Sequence, residues 1–127
     1  MQYKVLIVDD SKLARMSVAK VLKALEPEWL KVEAANAEEA LALLASERPD
    51  IALLDFNMPG RDGLVLAAEL NKLDPSMPVA VVSANIQTEI VKRAEEAGAD
   101  FLAKPLTEQA LAVFLEKAKR RLSERSA

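Results

Sequence analysis

Val5-Leu6-Ile7-Val8-Asp9-Asp10 decides the fold, because an uninterrupted apolar run passes directly into two carboxylates. A short apolar run bounded by polar residues reads as a strand buried on both faces, the kind found in parallel sheets. The pattern recurs: Ile51-Ala52-Leu53-Leu54 ends at Asp55, Val79-Ala80-Val81-Val82 at Ser83, and Phe101-Leu102-Ala103 at Lys104. Each polar residue is thereby placed at a strand C-terminus. In an open α/β sheet those ends share one edge, where ligands bind. Three acidic groups, a hydroxyl and an ammonium gathered there point to a site for a divalent cation and a phosphoryl group.

Helical segments fill the gaps between these strands, so the chain reads as βα units around a parallel sheet. Leu13 to Leu25 places Ala14, Val18, Val21, Leu22 and Leu25 on one helical face, and Pro27 ends that helix. Leu30 to Ala34 reads as a second strand. Asn36-Ala37-Glu38-Glu39 has the form of a capping box opening a helix to about Glu47. Asn57-Met58-Pro59-Gly60 and Gly63 form a loop before a helix ending near Leu73, and Asp74-Pro75 and Pro78 lead into the fourth strand. Thr88 to Ala97 is a polar helix stopped by Gly98, a C′ residue. Thr107 caps a last helix with Leu111, Phe114, Leu115, Ala118 and Leu122 on one face. Right-handed crossovers put helices on both sides of such a sheet. The expectation is one doubly wound (βα)₅ domain over residues 1–127, without repeat, linker or low-complexity segment.

Composition narrows the chemistry. At 127 residues, with 51% hydrophobic and 29% charged residues, the chain has the size and balance of one globular domain. No apolar stretch approaches the ~20 residues of a membrane span, and no signal peptide opens the sequence. The absence of cysteine excludes disulfides and fits a cytoplasmic location. The absence of histidine excludes Ser-His catalysis, histidine zinc sites and phosphohistidine within this chain. A net charge of −3 gives no overall attraction to nucleic acid or an anionic membrane.

Taken singly, Asp10 reads as a helix N-cap, Asp9 and Asp55 as solvated loop residues, Ser83 as a cap and Lys104 as a solvated lysine. Together they make a different case. Clustered carboxylates raise one another's pKa unless a cation lies between them. Oxygen-only ligands select a hard ion such as Mg²⁺. A carboxylate attacking phosphorus gives an aspartyl phosphate, and in-line transfer needs positioning and charge neutralisation more than acid–base help. Lys104 supplies a point charge for a phosphoryl oxygen, and Ser83 a hydroxyl donor.

Val8-Asp9-Asp10, Leu54-Asp55-Phe56-Asn57-Met58-Pro59-Gly60, Ser83-Ala84 and Phe101-Leu102-Ala103-Lys104-Pro105 resemble the response regulator receiver domain of two-component signalling, the CheY-like family. The resemblance spans most of the chain, in the family's order and spacing. It implies a flavodoxin-like sheet of order 2-1-3-4-5, a topology known for such proteins rather than derived from this sequence. It also implies that Asp55 is the phosphoacceptor, charged by a histidine kinase or phosphotransfer protein. Asp9, Asp10, Asp55 and the backbone carbonyl of Asn57 would hold Mg²⁺ or Mn²⁺. Ser83 and Lys104 would contact the phosphoryl group, beside Ala84 and a cis peptide between Lys104 and Pro105. Ser83 and Phe101 would form the switch, with Phe101 standing where a tyrosine is common and lacking its hydroxyl. Such a domain catalyses its own aspartyl phosphorylation and dephosphorylation and is not a metabolic enzyme.

The resemblance assigns output to the surface of the fourth helix, fifth strand and fifth helix, whose polar face includes Gln87, Glu89, Lys92 and Arg93. An unknown protein target is expected there, with no direct nucleic-acid or membrane partner. Lys117, Lys119, Arg120, Arg121 and Arg125 read as a solvated, dipole-favoured helix face. Trp29 is expected over the end of the first helix, and Phe56 partly exposed beside the site. The sequence ends shortly after the fifth helix, so no effector domain is expected within it. It fits a stand-alone regulator or a receiver portion of a longer protein. A flavodoxin-like FMN module and a haloacid-dehalogenase-type phosphatase are weaker alternatives. Asp9-Asp10-Ser11-Lys12 is acidic where a phosphate cradle is needed, no glycine-rich loop exists, and adjacent aspartates replace Asp-x-Asp.

Overall fold

Parity along each strand explains why the apolar runs are continuous, since successive side chains leave opposite faces of a sheet and here both faces are covered. In the computed structural model, which describes residues 2–58 and 62–126, the chain runs β1 (Lys4–Val8), α1 (Lys12–Leu25), β2 (Leu30–Ala34), α2 (Ala37–Glu47), β3 (Ile51–Asp55), α3 (Gly63–Leu73), β4 (Val79–Ser83), α4 (Thr88–Glu96), β5 (Asp100–Ala103) and α5 (Glu108–Ser126). Every strand pair is parallel, in the order β2-β1-β3-β4-β5. Both the doubly wound class and the expected order are therefore observed. Pro59 and Gly60 of the expected loop lie outside the described residues.

Val5, Ile7, Ile51, Leu53, Ala80 and Val82 face α1 and α5, packing on Leu22, Leu111, Phe114, Leu115 and Leu122. The alternate residues Leu6, Val8, Ala52, Leu54, Val79 and Val81 face α2, α3 and α4 through Ala40, Leu66, Ala67, Leu70, Ile90 and Ala94. Each fully buried leucine, isoleucine or phenylalanine contributes about 1.5–3 kcal/mol, so the two layers dominate stability and hold the strand ends rigidly in register. Among the described residues no helix is long and apolar enough to cross a membrane.

Local signals set the helix ends. Ser11 caps α1, its Oγ accepting from the Ala14 N–H at 3.2 Å. Asn36 caps α2 by accepting from the Glu39 N–H at 2.8 Å, while Glu39 returns to the N–H of Ala35 at 3.0 Å rather than that of Asn36. Gly98, at φ 79°, ends α4 as the spacing predicts. The Gly98 N–H donates to Glu95 O at 3.0 Å and the Ala99 N–H to Ala94 O at 2.9 Å, the paired bonds of a Schellman turn. Thr107 Oγ1 accepts from the Ala110 N–H at 3.1 Å at the start of α5.

Trp29 is buried with Leu22 and Leu25, its ring edge-on to Tyr3 with centroids 5.2 Å apart. The basic face of α5 is not simply solvated. Lys117 pairs with Asp100 at 2.7 Å, Lys119 with Glu26 at 2.7 Å and Arg125 with Asp50 at 3.0 Å. Arg121 donates to the Pro75 carbonyl at 2.5 Å. These cations tie α5 to the sheet and to α1, contacts that helical spacing alone does not reveal.

Candidate functional site

Three strand ends meet at one edge because β1 lies between β2 and β3, with Val8 level with Leu54 and Asp55 level with Val82. One residue beyond β1 comes Asp9; Asp55 closes β3. Both are only 5% exposed, and neither is the solvated loop residue it resembles when read alone. Nor is Asp10 the cap of α1. Ser11 takes that role, leaving the exposed Asp10 carboxylate available to the site. One oxygen from each of Asp9, Asp10 and Asp55 lies within 4.8 Å of the others.

Lys104, carried just past β5, turns its ammonium inward. Its Nζ is 2.5 Å from Asp55 Oδ1 and 3.9 Å from Asp9 Oδ2. The Lys104 N–H donates to Ser83 O at 3.0 Å, so the β4 and β5 ends are locked together beside Asp55. The Lys104–Pro105 peptide is cis. Ser83 is 1% exposed, and its Oγ accepts from the Asn85 N–H at 3.0 Å. Ala84 is exposed and lines a cavity of about 470 Å³ with Ala14, Val18, Val21 and Leu106, opening beside Lys104. Phe101 and Phe56 are half-buried against the α2–α4 layer, and Asn57 is exposed just after β3.

Burial, hydrogen bonding and neighbouring charges together set the pKa of Asp9. Burial is the largest influence and pushes its pKa up. The Ser11 N–H bonded to its Oδ1 at 2.9 Å opposes this, as does the Lys104 ammonium, while the charges of Asp55 and Asp10 add to the rise. One ammonium does not balance three carboxylates. A divalent cation would, and a donor set made only of carboxylate oxygens suits a hard ion of the Mg²⁺ type. The residues present therefore fit such an ion.

Two contributors go unrecognised in the sequence, where Arg15 has no assigned role and Gly63 reads only as a loop residue, although it is the first residue of α3. Arg15, on the first turn of α1, donates from Nη1 to the Asp9 carbonyl at 2.6 Å and from Nε to Glu33 Oε1 at 2.9 Å. Its place one helical turn beyond the N-cap, close behind a pair of acids, is the only signal in the sequence. Gly63 starts α3 with its N–H donated to Phe56 O at 3.0 Å. A Cβ there would stand 2.3 Å from the carbonyl oxygen of Asp55, so only glycine allows α3 this close to the end of β3.

Residues 5–116 match the family model described as the response regulator receiver domain. The chain is 42% identical over 118 residues to a positive alginate biosynthesis regulatory protein of Pseudomonas aeruginosa, covering 91% of this chain and 47% of that protein. It thus spans about half the length of that relative. It is 38% identical over 116 residues to the chemotaxis protein CheY of Listeria monocytogenes, covering 91% of this chain and 97% of that one. Among solved structures, a CheY-like receiver domain protein from Methanospirillum hungatei superposes with a TM-score of 0.86 at 28% identity, over 98% of this chain and 99% of that one.

Proposed function

Since the chain belongs to the response regulator receiver domain family of two-component signalling, we propose that it is a phosphorylation switch whose acceptor is Asp55. The observation that carries this reading is the setting of Asp55, buried, 2.5 Å from the Lys104 ammonium and grouped with Asp9 and Asp10. An Asp55 carboxylate oxygen attacks the phosphorus of a donor phosphohistidine, the P–N bond breaks, and the released imidazole takes up a proton. Lys104 holds a phosphoryl oxygen. Asp9, Asp10, Asp55 and the Asn57 carbonyl would hold Mg²⁺ or Mn²⁺, which supplies the positive charge needed to bring an anionic phosphoryl group onto a carboxylate. Residues 1–127 act together as the receiver unit.

Signalling follows from the hydroxyl of Ser83, which accepts a bond from Asn85 in this structure and would turn to donate to the phosphoryl oxygen. That gain in bonding biases the loop after β4 and the half-buried Phe101 toward a second arrangement. The output surface is formed by α4, β5 and α5, where Gln87, Glu89, Lys92 and Arg93 are exposed. The partners are a histidine kinase or phosphotransfer protein and a protein target. The engagement of Lys117, Lys119, Arg121 and Arg125 by groups of the fold itself supports a protein target over nucleic acid.

Acetyl phosphate with Mg²⁺ should add one hydroxylamine-labile phosphoryl group, visible by intact mass. Asp55→Asn should abolish it and a chelator should prevent it. Equal labelling of Asp55→Asn, or labelling indifferent to the chelator, would defeat the assignment.

A further inference from the structure

We propose that Arg15 is a positioning residue for the metal site, acting through the peptide that joins Asp9 to Asp10; this rests on the metal reading above. The Asp9 side chain and N–H are already held. Its Oδ1 accepts from the Ser11 N–H at 2.9 Å, and its own N–H donates to Ala34 O at 3.1 Å. Its carbonyl is held by Arg15 Nη1 at 2.6 Å. That oxygen belongs to the planar unit containing the Asp10 N–H, so fixing it fixes the direction in which the chain enters Asp10. Asp10 is exposed, and the aim of its carboxylate depends on that peptide plane.

Arg15 suits the task because its guanidinium is anchored at both ends. The Nε bond to Glu33 Oε1 at 2.9 Å ties it to β2, and the Arg15 side chain is only 15% exposed. A lysine presents a single point charge and cannot make both bonds in fixed geometry. The arrangement thus links the β2 edge, the first turn of α1 and the acidic loop. It also places the supporting charge on a carbonyl, outside the carboxylate cluster, where it leaves the ligand oxygens free.

The test is calorimetric titration of Mg²⁺ into the full chain without phosphodonor. Arg15→Ala and Arg15→Lys, each verified as folded by circular dichroism, should weaken Mg²⁺ binding by about tenfold, the usual scale for groups that orient metal ligands. At saturating Mg²⁺ both should label from acetyl phosphate at the wild-type rate. Arg125→Ala, which removes an ion pair at the opposite end of the sheet, should bind Mg²⁺ as the wild type does. Losses under about threefold, well short of that scale, would overturn the inference. So would an equal loss in Arg125→Ala, or a labelling defect that saturating Mg²⁺ does not repair. Should Arg15→Ala fail to fold, Arg15→Lys decides alone. A wild-type chain that binds no Mg²⁺ overturns the metal reading itself and this inference with it, whereas normal wild-type binding with unaffected variants overturns this inference only.

Discussion

At Gly63 the lack of a methyl group governs how closely α3 approaches Asp55, the proposed phosphoacceptor. Helix propensity favours alanine over glycine by up to ~1 kcal/mol in a helix interior, and by less at a first position. Against this stands a Cβ placed 2.3 Å from Asp55 O and 3.0 Å from the Phe56 Cα, both backbone atoms. Overpacking of this kind costs about 1–3 kcal/mol, so the clash wins. Gly63→Ala is expected to be destabilised by about 2 kcal/mol in urea unfolding and to label more slowly at Asp55, because the β3 end must move. A stabilised Gly63→Ala would show that the approach is not constrained. The same scale explains what each aspartate does. Asp9 is held by Ser11, Ala34 and Arg15, Asp55 is met by Lys104, and Asp10 stays exposed.

Between elements, α5 is joined to the end of α1 by Lys119, whose Nζ bonds Glu26 at 2.7 Å and Glu116 at 3.2 Å and lies 5.8 Å from the Trp29 ring centre. The bond to Glu26 is the main cause of a Lys119 pKa raised above its ordinary 10.5. A raised folded pKa means the folded chain binds this proton more tightly than the unfolded chain. The stabilisation is therefore complete below the unfolded value of 10.5 and fades as pH rises through the higher folded value. Because the side chain is partly exposed, the effect is small and screened by salt. Thermal midpoints on the alkaline side of that value should fall more steeply for the wild type than for Lys119→Met. Parallel curves for the two proteins would remove Lys119 from the α1–α5 contact.

For the whole molecule, the concentration of acid at one edge would couple folding to the proposed metal binding. Folding brings three carboxylates together and buries Asp9 and Asp55. The unfolded chain keeps them apart and has no such site. A ligand bound only by the folded state stabilises it by about 2.7 kcal/mol at a concentration of 100 Kd. Mg²⁺ should therefore raise the thermal midpoint by several degrees, and a chelator should reverse the shift. Asp9→Asn should lose most of the Mg²⁺ increment while gaining stability in its absence, because one buried charge among like charges is removed. A wild-type midpoint indifferent to Mg²⁺ would show that the folded chain does not bind the ion, and would overturn the metal reading.

Strand ends were legible in the linear order of residues because the constraint that writes them is local. A strand buried on both faces admits only apolar side chains, so the first polar residue marks its end, and Asp9, Asp55, Ser83 and Lys104 each announce themselves. Gly98 and Thr107 were readable for the same reason, since turn and cap chemistry depends on a few neighbouring residues. Arg15, Gly63 and the Glu26–Lys119 pair were not. Arg15 looks like any helix arginine until Glu33 and the Asp9 carbonyl are folded against it, and Gly63 like any loop glycine until β3 ends beneath it. By itself the sequence determined which residues stand at the carboxyl edge and what chemistry they bring. Only the tertiary structure decided which side chains hold them there, because such contacts join elements far apart in the chain and leave no local pattern.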